Sequence, residues 1–299
     1  MNLRPYLFFY EHTATGLLQS LWSGTKRSVR YLMETEVHVY GFSIAANVLL
    51  SFFPFMIVMV SLARYLMGRP AEEAIYLAMR DYLPGIMGTY IPQQIKGLVD
   101  QRGALQWSSV VLLFFTANGI FEPLEVALNK AFGIRQNRSF VRNQLVSMGL
   151  IFVCGSLVLV STILAAYNQQ WTRELFGRGD WFGGTISSLV IKTVAIPVTI
   201  LALFLTYWVL PNGPVAVGRV LPAAIGVGLL LEVFKYLVMA SWPWLGAKLY
   251  HEYGVFYASV SIILWSFLGS MIVLAGAEWA GREPPVPEGQ VLDEAVGPV

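Results

Sequence analysis

The sequence predicts an all-α polytopic membrane protein. It is a six-transmembrane-helix bundle with an N-terminal amphipathic helix and a helical extracytoplasmic loop. Three observations carry that expectation. Of the 299 residues, 56% are hydrophobic and only 13% are charged, where a soluble domain carries roughly 25% charge. Mean hydropathy is +0.59, and apolar stretches recur that match the ~20 helical residues a ~30 Å hydrocarbon core demands. Basic residues crowd into a few of the connections, as topology signals do. The net charge of +2 leaves no general polyanion footprint, and the single cysteine excludes an intrachain disulfide. Cys154 lies in an apolar span and reads as a small buried side chain.

Residues 1–38 form the N-terminal segment. Leu7-Phe-Phe-Tyr is too short an apolar core for a cleavable signal, with Glu11 and His12 following at once. From 12 to 33, Leu17, Leu18, Leu21, Trp22, Thr25, Val29 and Leu32 recur at intervals of three and four, flanked by Lys26, Arg27 and Arg30. That pattern suits a helix lying on an anionic membrane face or packed against the bundle.

The first span is expected at about 39–65, with Ser43, Asn47 and Ser51 on one face and Pro54 breaking the run. The connection 66–104 is long enough to have structure of its own. Ile75, Met79 and Tyr82 suggest one short helix in it. A second should start at Pro92 and use Ile95, Leu98 and Val99, forming a cap over the bundle.

The second span, about 107–129, holds Asn118, Glu122, Glu125 and Asn129 at intervals of 4, 3 and 4, on one helical face beside an expected kink at Pro123. Carboxylates must be hidden from lipid, so the other helices are expected to pack around this one. The third to sixth spans fall at about 143–167, 184–210, 217–241 and 254–279, which makes 39–280 the transmembrane domain. The Pro-rich, acidic tail 281–299 should be disordered.

Six spans put both termini on one side. Four basic residues of that side, Lys130, Arg135, Arg138 and Arg142, lie in one short loop. The termini are therefore expected to be cytoplasmic. The same loop can touch anionic lipid headgroups and is not read as a nucleic-acid site. Trp107, Trp171, Trp181, Trp242 and Trp244 should line the outer boundary, and Trp208 and Trp279 the inner one.

Charge within a bilayer costs on the order of 2.5–3.5 kcal/mol near a helix centre, so buried charges are the place to look for function. At about 1.5 Å per residue, Glu122 lies about 10 Å deep, and Asn47 and Ser270 reach similar depths. These could form an inner polar cluster together with Asn118. Lys192 and Glu232 match in depth from the outer side and could pair, with Lys235 sharing the carboxylate. Lys192 and Lys235 could equally snorkel to headgroups. Glu125 and Asn129 could sit at the inner interface, paired with Lys130 or an arginine of the loop.

Enzyme signatures are weak. The three histidines are scattered, and His251-Glu252 lacks the second histidine of a zinc protease. No nucleophile elbow or phosphate-binding glycine loop is present. No catalytic residue, cofactor or metal is expected.

Several segments resemble the YihY/BrkB family of bacterial inner-membrane proteins. They are Ala45-Ala-Asn-Val-Leu-Leu-Ser-Phe-Phe-Pro-Phe, Leu124-Glu-Val-Ala-Leu-Asn-Lys-Ala-Phe, and Leu210-Pro-Asn with Arg219-Val-Leu-Pro-Ala-Ala. Tyr253-Gly-Val-Phe, Leu264-Trp-Ser-Phe-Leu-Gly and Leu274-Ala-Gly-Ala-Glu278 complete the set. The likeness covers roughly 12–280. It implies six helices and cytoplasmic termini. Members have been named ribonucleases, virulence or serum-resistance factors, and transporters. Asn47 and Glu122 depart from the family pattern. The residues fit a transporter or exporter of a small polar solute or an amphipathic, lipid-like substrate moving along a polar route between helices. The other reading is a non-transporting envelope scaffold or partner-binding membrane protein. A homo-oligomer is compatible with the small-residue faces of the last two spans.

Overall fold

The computed structural model describes residues 26–102, 107–135, 138–176 and 196–281. Among them there are helices and short turns but no strand. A helical lead-in at 26–32 precedes α1 (Thr35–Met67), α2 (Arg69–Tyr82), α3 (Met87–Arg102), α4 (Trp107–Ala131) and α5 (Phe140–Phe176). Then come α6 (Ile196–Val209), α7 (Val217–Tyr253) and α8 (Tyr257–Ala280). Four described stretches are long and apolar enough to cross a membrane: Thr35–Met67, Ser108–Ala131, Phe140–Ser161 and Val217–Ala280.

The last of these folds back on itself. Gly254, at φ 53°, caps α7 with its N–H on the Tyr250 carbonyl, and a single 3-10 turn leads into α8. The left-handed φ is open to glycine at little cost. The two helices run antiparallel: Gly226 faces Trp279, Gly276 faces Val227, and Trp242 stacks edge-on to Trp265 at 4.9 Å. The residues expected to form the fifth and sixth spans thus lie in this one stretch as an antiparallel helix pair. Of the span expected at 184–210, the described residues hold α6 alone. The N-terminal amphipathic helix is described only from residue 26, and the tail beyond Gly281 lies outside the described residues.

The hub is α1 rather than α4. It packs most extensively on α4 and α8, and also touches α2, α3 and α5. Its 33 residues include small or polar side chains on the contact face, among them Gly41, Ala45, Ser51 and Ser61. Small residues let neighbouring backbones come close, which is what holds helices together where apolar burial gives no net drive. Pro54 does not break the helix. It is buried within a continuous α1, because the packing of the surrounding aromatic residues outweighs one lost backbone bond. Pro123 likewise lies inside an unbroken α4.

Gly68, at φ 78°, ends α1 with its N–H on the Arg64 carbonyl, and the chain turns directly into α2. The two cap helices are present, but α3 starts at Met87, five residues before the expected Pro92. Met87, Ile91, Ile95 and Val99 form one buried stripe at every fourth residue, and its burial carries the helix through the proline. Helix α7 runs to Tyr253, well beyond the expected end at 241. At about 1.5 Å per residue it exceeds the bilayer core and reaches into the cap. Trp242 thus lies in the core beside Gly85 and Gly246.

Among the described residues there are two hydrophobic cores. One joins the second half of α1 to α2, α3 and the α7–α8 turn. The other joins the first half of α1 to α4, α6, α7 and the end of α8.

Candidate functional site

The polar residues of α1 are each engaged with a different neighbour. Asn47 donates its side-chain N–H to the Ser43 carbonyl at 2.9 Å. It lies directly against Gly119 of α4, where an added Cβ would stand 2.1 Å from Asn47 Oδ1. Asn118 is the preceding residue of α4, and its side chain lies outside the described residues. Ser270 of α8 is buried and donates to the carbonyls of Phe267 at 2.7 Å and Gly41 at 3.2 Å. So Asn47 and Ser270 serve two separate interfaces of α1, with α4 and with α8.

The acidic face of α4 divides. Glu122 is exposed, whereas Glu125 and Asn129 are 6% and 8% exposed. The intervals explain the division. At 100° per residue the four polar positions span an arc of about 60°, and Glu122 and Glu125 stand at its two edges. The edge of the bundle passes between them.

The buried half of that face meets the basic loop. Arg138 donates to three successive carbonyls, those of Val209 at 3.1 Å, Leu210 at 3.2 Å and Pro211 at 2.6 Å, where α6 ends. Asn129 Oδ1 accepts the Asn212 N–H at 2.8 Å from the same turn. Burial lowers the Arg138 pKa from its ordinary value, Glu125 opposes the fall and Arg142 adds to it. An arginine keeps its charge through such a shift. Glu125 Oε2 is buried with no hydrogen-bond partner among the described residues. Its neighbouring charge is the Arg138 guanidinium. Lys130 turns away and pairs with Glu36 of α1 at 2.6 Å, and Arg135 and Arg142 are exposed.

On α7, Lys235 pairs with Glu232 within one helical turn, its ammonium 4.9 Å from the Tyr236 ring centre. Lys192 lies outside the described residues.

Sequence reasoning assigned no role to the carboxylate of Glu278, at the end of α8. It is 8% exposed, accepts from Ser28 Oγ at 3.2 Å and pairs with Arg27 Nε at 3.0 Å. Tyr31 stands nearby, its pKa pushed up to about 12 by burial and by Glu34, Tyr40, Glu278 and Glu36. An acid among small residues in a terminal helix, with arginines preceding the first span, was the available signal.

A half-open cleft of about 200 Å³ lies between α1, α2 and α5 at the cap end. Phe52, Phe55, Met56 and Met59 line it from α1, Ile75, Ala78 and Met79 from α2, and Val158 and Leu159 from α5. Its walls are almost wholly apolar, and none of the polar residues described above contributes to it. Among the described residues, no three His, Cys, Asp or Glu side chains gather where a metal ion could be held.

The model of the family described as Virulence factor BrkB matches residues 28–284. The chain is 25% identical over 248 residues to a ribonuclease-like protein, YfkH, of Bacillus subtilis (strain 168), covering 77% of this chain and 84% of that one. It is 23% identical over 251 residues to a UPF0761 membrane protein of Chlorobium chlorochromatii, covering 83% of this chain and 56% of that one. A UPF0761 membrane protein of Acinetobacter baylyi is 26% identical over 191 residues, 62% of this chain and 43% of that one. The chain thus spans about half the length of these UPF0761 relatives. No solved structure matches it.

Proposed function

The chain belongs to the virulence factor BrkB family and is an integral membrane protein, and from that premise we propose that it moves an amphipathic, lipid-like substrate across a bacterial inner membrane. The observation that carries this reading is the apolar cleft of about 200 Å³ between α1, α2 and α5. A cleft with such walls suits an acyl chain better than a small polar solute. Met56, Met59 and Met79 are unbranched and adaptable, which suits a flexible chain. Six spans, cytoplasmic termini and a cap on the outer face belong to the same proposal. We assign the inner polar station to Glu125 with Arg138, because the buried carboxylate acts on the partly buried guanidinium, and Glu122 takes a secondary place at the rim.

One observation favours the scaffold reading instead. Helix α1 closes against α4 at Asn47 and Gly119 and against α8 at Gly41 and Ser270, leaving no gap at either polar position. Reconstitution separates the two readings. In liposomes carrying a fluorescent phospholipid whose outer-leaflet label can be quenched, the transporter reading expects at least tenfold faster label movement than in protein-free liposomes. Ala78→Trp fills the cleft and should lower that rate at least fivefold. Movement no faster than in protein-free liposomes would leave the scaffold.

A further inference from the structure

Moving an acyl chain from bilayer to cleft exchanges one apolar surrounding for another, so the tail gives little discrimination. The polar end of the substrate must be recognised elsewhere, and α2 supplies a place. Ile75, Ala78 and Met79 face the apolar cleft, while Glu73, Tyr76, Leu77 and Arg80 line a second one. At 100° per residue the two sets point to nearly opposite sides of the helix. The second cleft holds about 230 Å³ and is completed by Pro92, Gln93 and Lys96 of α3. Its cations outnumber its acid, with Arg80 and Lys96 against Glu73. The neighbouring acids are engaged by another cation: Arg64 binds Glu72 at 3.4 Å and Asp100 at 2.8 Å. Neither Arg80 nor Lys96 forms an ion pair among the described residues.

We infer that this cleft binds a phosphate-bearing polar group. The Arg80 guanidinium is a planar fork for two phosphate oxygens, Lys96 adds a point charge, and the Gln93 amide adds a neutral donor. Glu73 favours a ligand that also carries an ammonium or hydroxyl group. The inference rests on the amphiphile reading only in assigning the group to the moved substrate. Its test reads binding rather than movement, so either can fail alone.

The full-length protein in detergent is offered phosphatidylglycerol or diacylglycerol, which lacks the phosphate, and bound lipid is counted by native mass spectrometry. Glycerol 3-phosphate is titrated separately by calorimetry. If the source is a lipid headgroup, wild type retains phosphatidylglycerol at least fivefold over diacylglycerol, and Arg80→Gln/Lys96→Gln loses that preference. If the source is a free phosphate ester, glycerol 3-phosphate binds and the same variant weakens it at least fivefold. Lys248→Gln, at the same end of the molecule, keeps the wild-type behaviour. Equal retention of both lipids without glycerol phosphate binding overturns the inference. So does a change under fivefold in both arms of the double variant, or an equal loss in Lys248→Gln.

Discussion

Asn47 and Gly119 set how closely α1 and α4 approach. A methyl group on Gly119 would overlap the Asn47 amide, so Gly119→Ala should cost roughly 1–3 kcal/mol. Asn47→Ala added to it should recover most of that loss in thermal unfolding, and purely additive losses would contradict the contact. Arg138 is a second test at this scale. Arg138→Ala removes three charge-assisted bonds to carbonyls at the end of α6, a loss of roughly 2–4 kcal/mol. Glu122→Gln, on an exposed face, should stay within about 0.5 kcal/mol. The reverse ranking would remove the distinction between the two acids. The sequence reading found the polar face of α4 but ranked its acids by depth alone. Depth does not tell which edge of an arc turns inward. That depends on the turn after α6, which lies some seventy residues from Arg138 and which no periodicity within α4 can reveal.

At the scale of elements, α1 carries the cap through Arg64, which reaches Glu72 of α2 and Asp100 of α3. Exposed ion pairs are weak singly, and this one gains by bridging two elements. Arg64→Ala should raise deuterium uptake across 69–102 while uptake in α8 stays as in wild type. Uniform uptake in both proteins would mean that the buried stripes of α2 and α3 suffice. The lead-in 26–32 is fastened at the other end by Arg27 and Ser28 on Glu278. Tyr31 lies in that contact with a pKa of about 12 against an ordinary value of 10. The fold therefore holds the proton more tightly than the unfolded chain does. The Tyr31 contribution is complete below pH 10 and is lost as pH rises through about 12. Melting temperature should fall across that window, and Tyr31→Phe should flatten the fall. The existence of most helices was readable from apolar runs. Their limits at Pro54, Pro92 and Ser241 were not, because tertiary packing overrides local breakers.

At the scale of the molecule, two cores meet along α1, one in the bundle and one beneath the cap. The apolar cleft opens where α2 and α5 meet the cap-side half of α1. Composition alone announced a membrane bundle. No sequence pattern announced the cleft, because its lining residues come from three helices and each looks like ordinary core. The most direct measurement is photocrosslinking in native-like bilayers, using a phospholipid with a diazirine in its acyl chain and peptide mapping of the adducts. Adducts should concentrate on Phe52, Met56, Met79 and Val158 and fall at least fivefold in Ala78→Trp. Labelling spread evenly over the lipid-facing helices, and unchanged by that substitution, would contradict an acyl chain in the cleft.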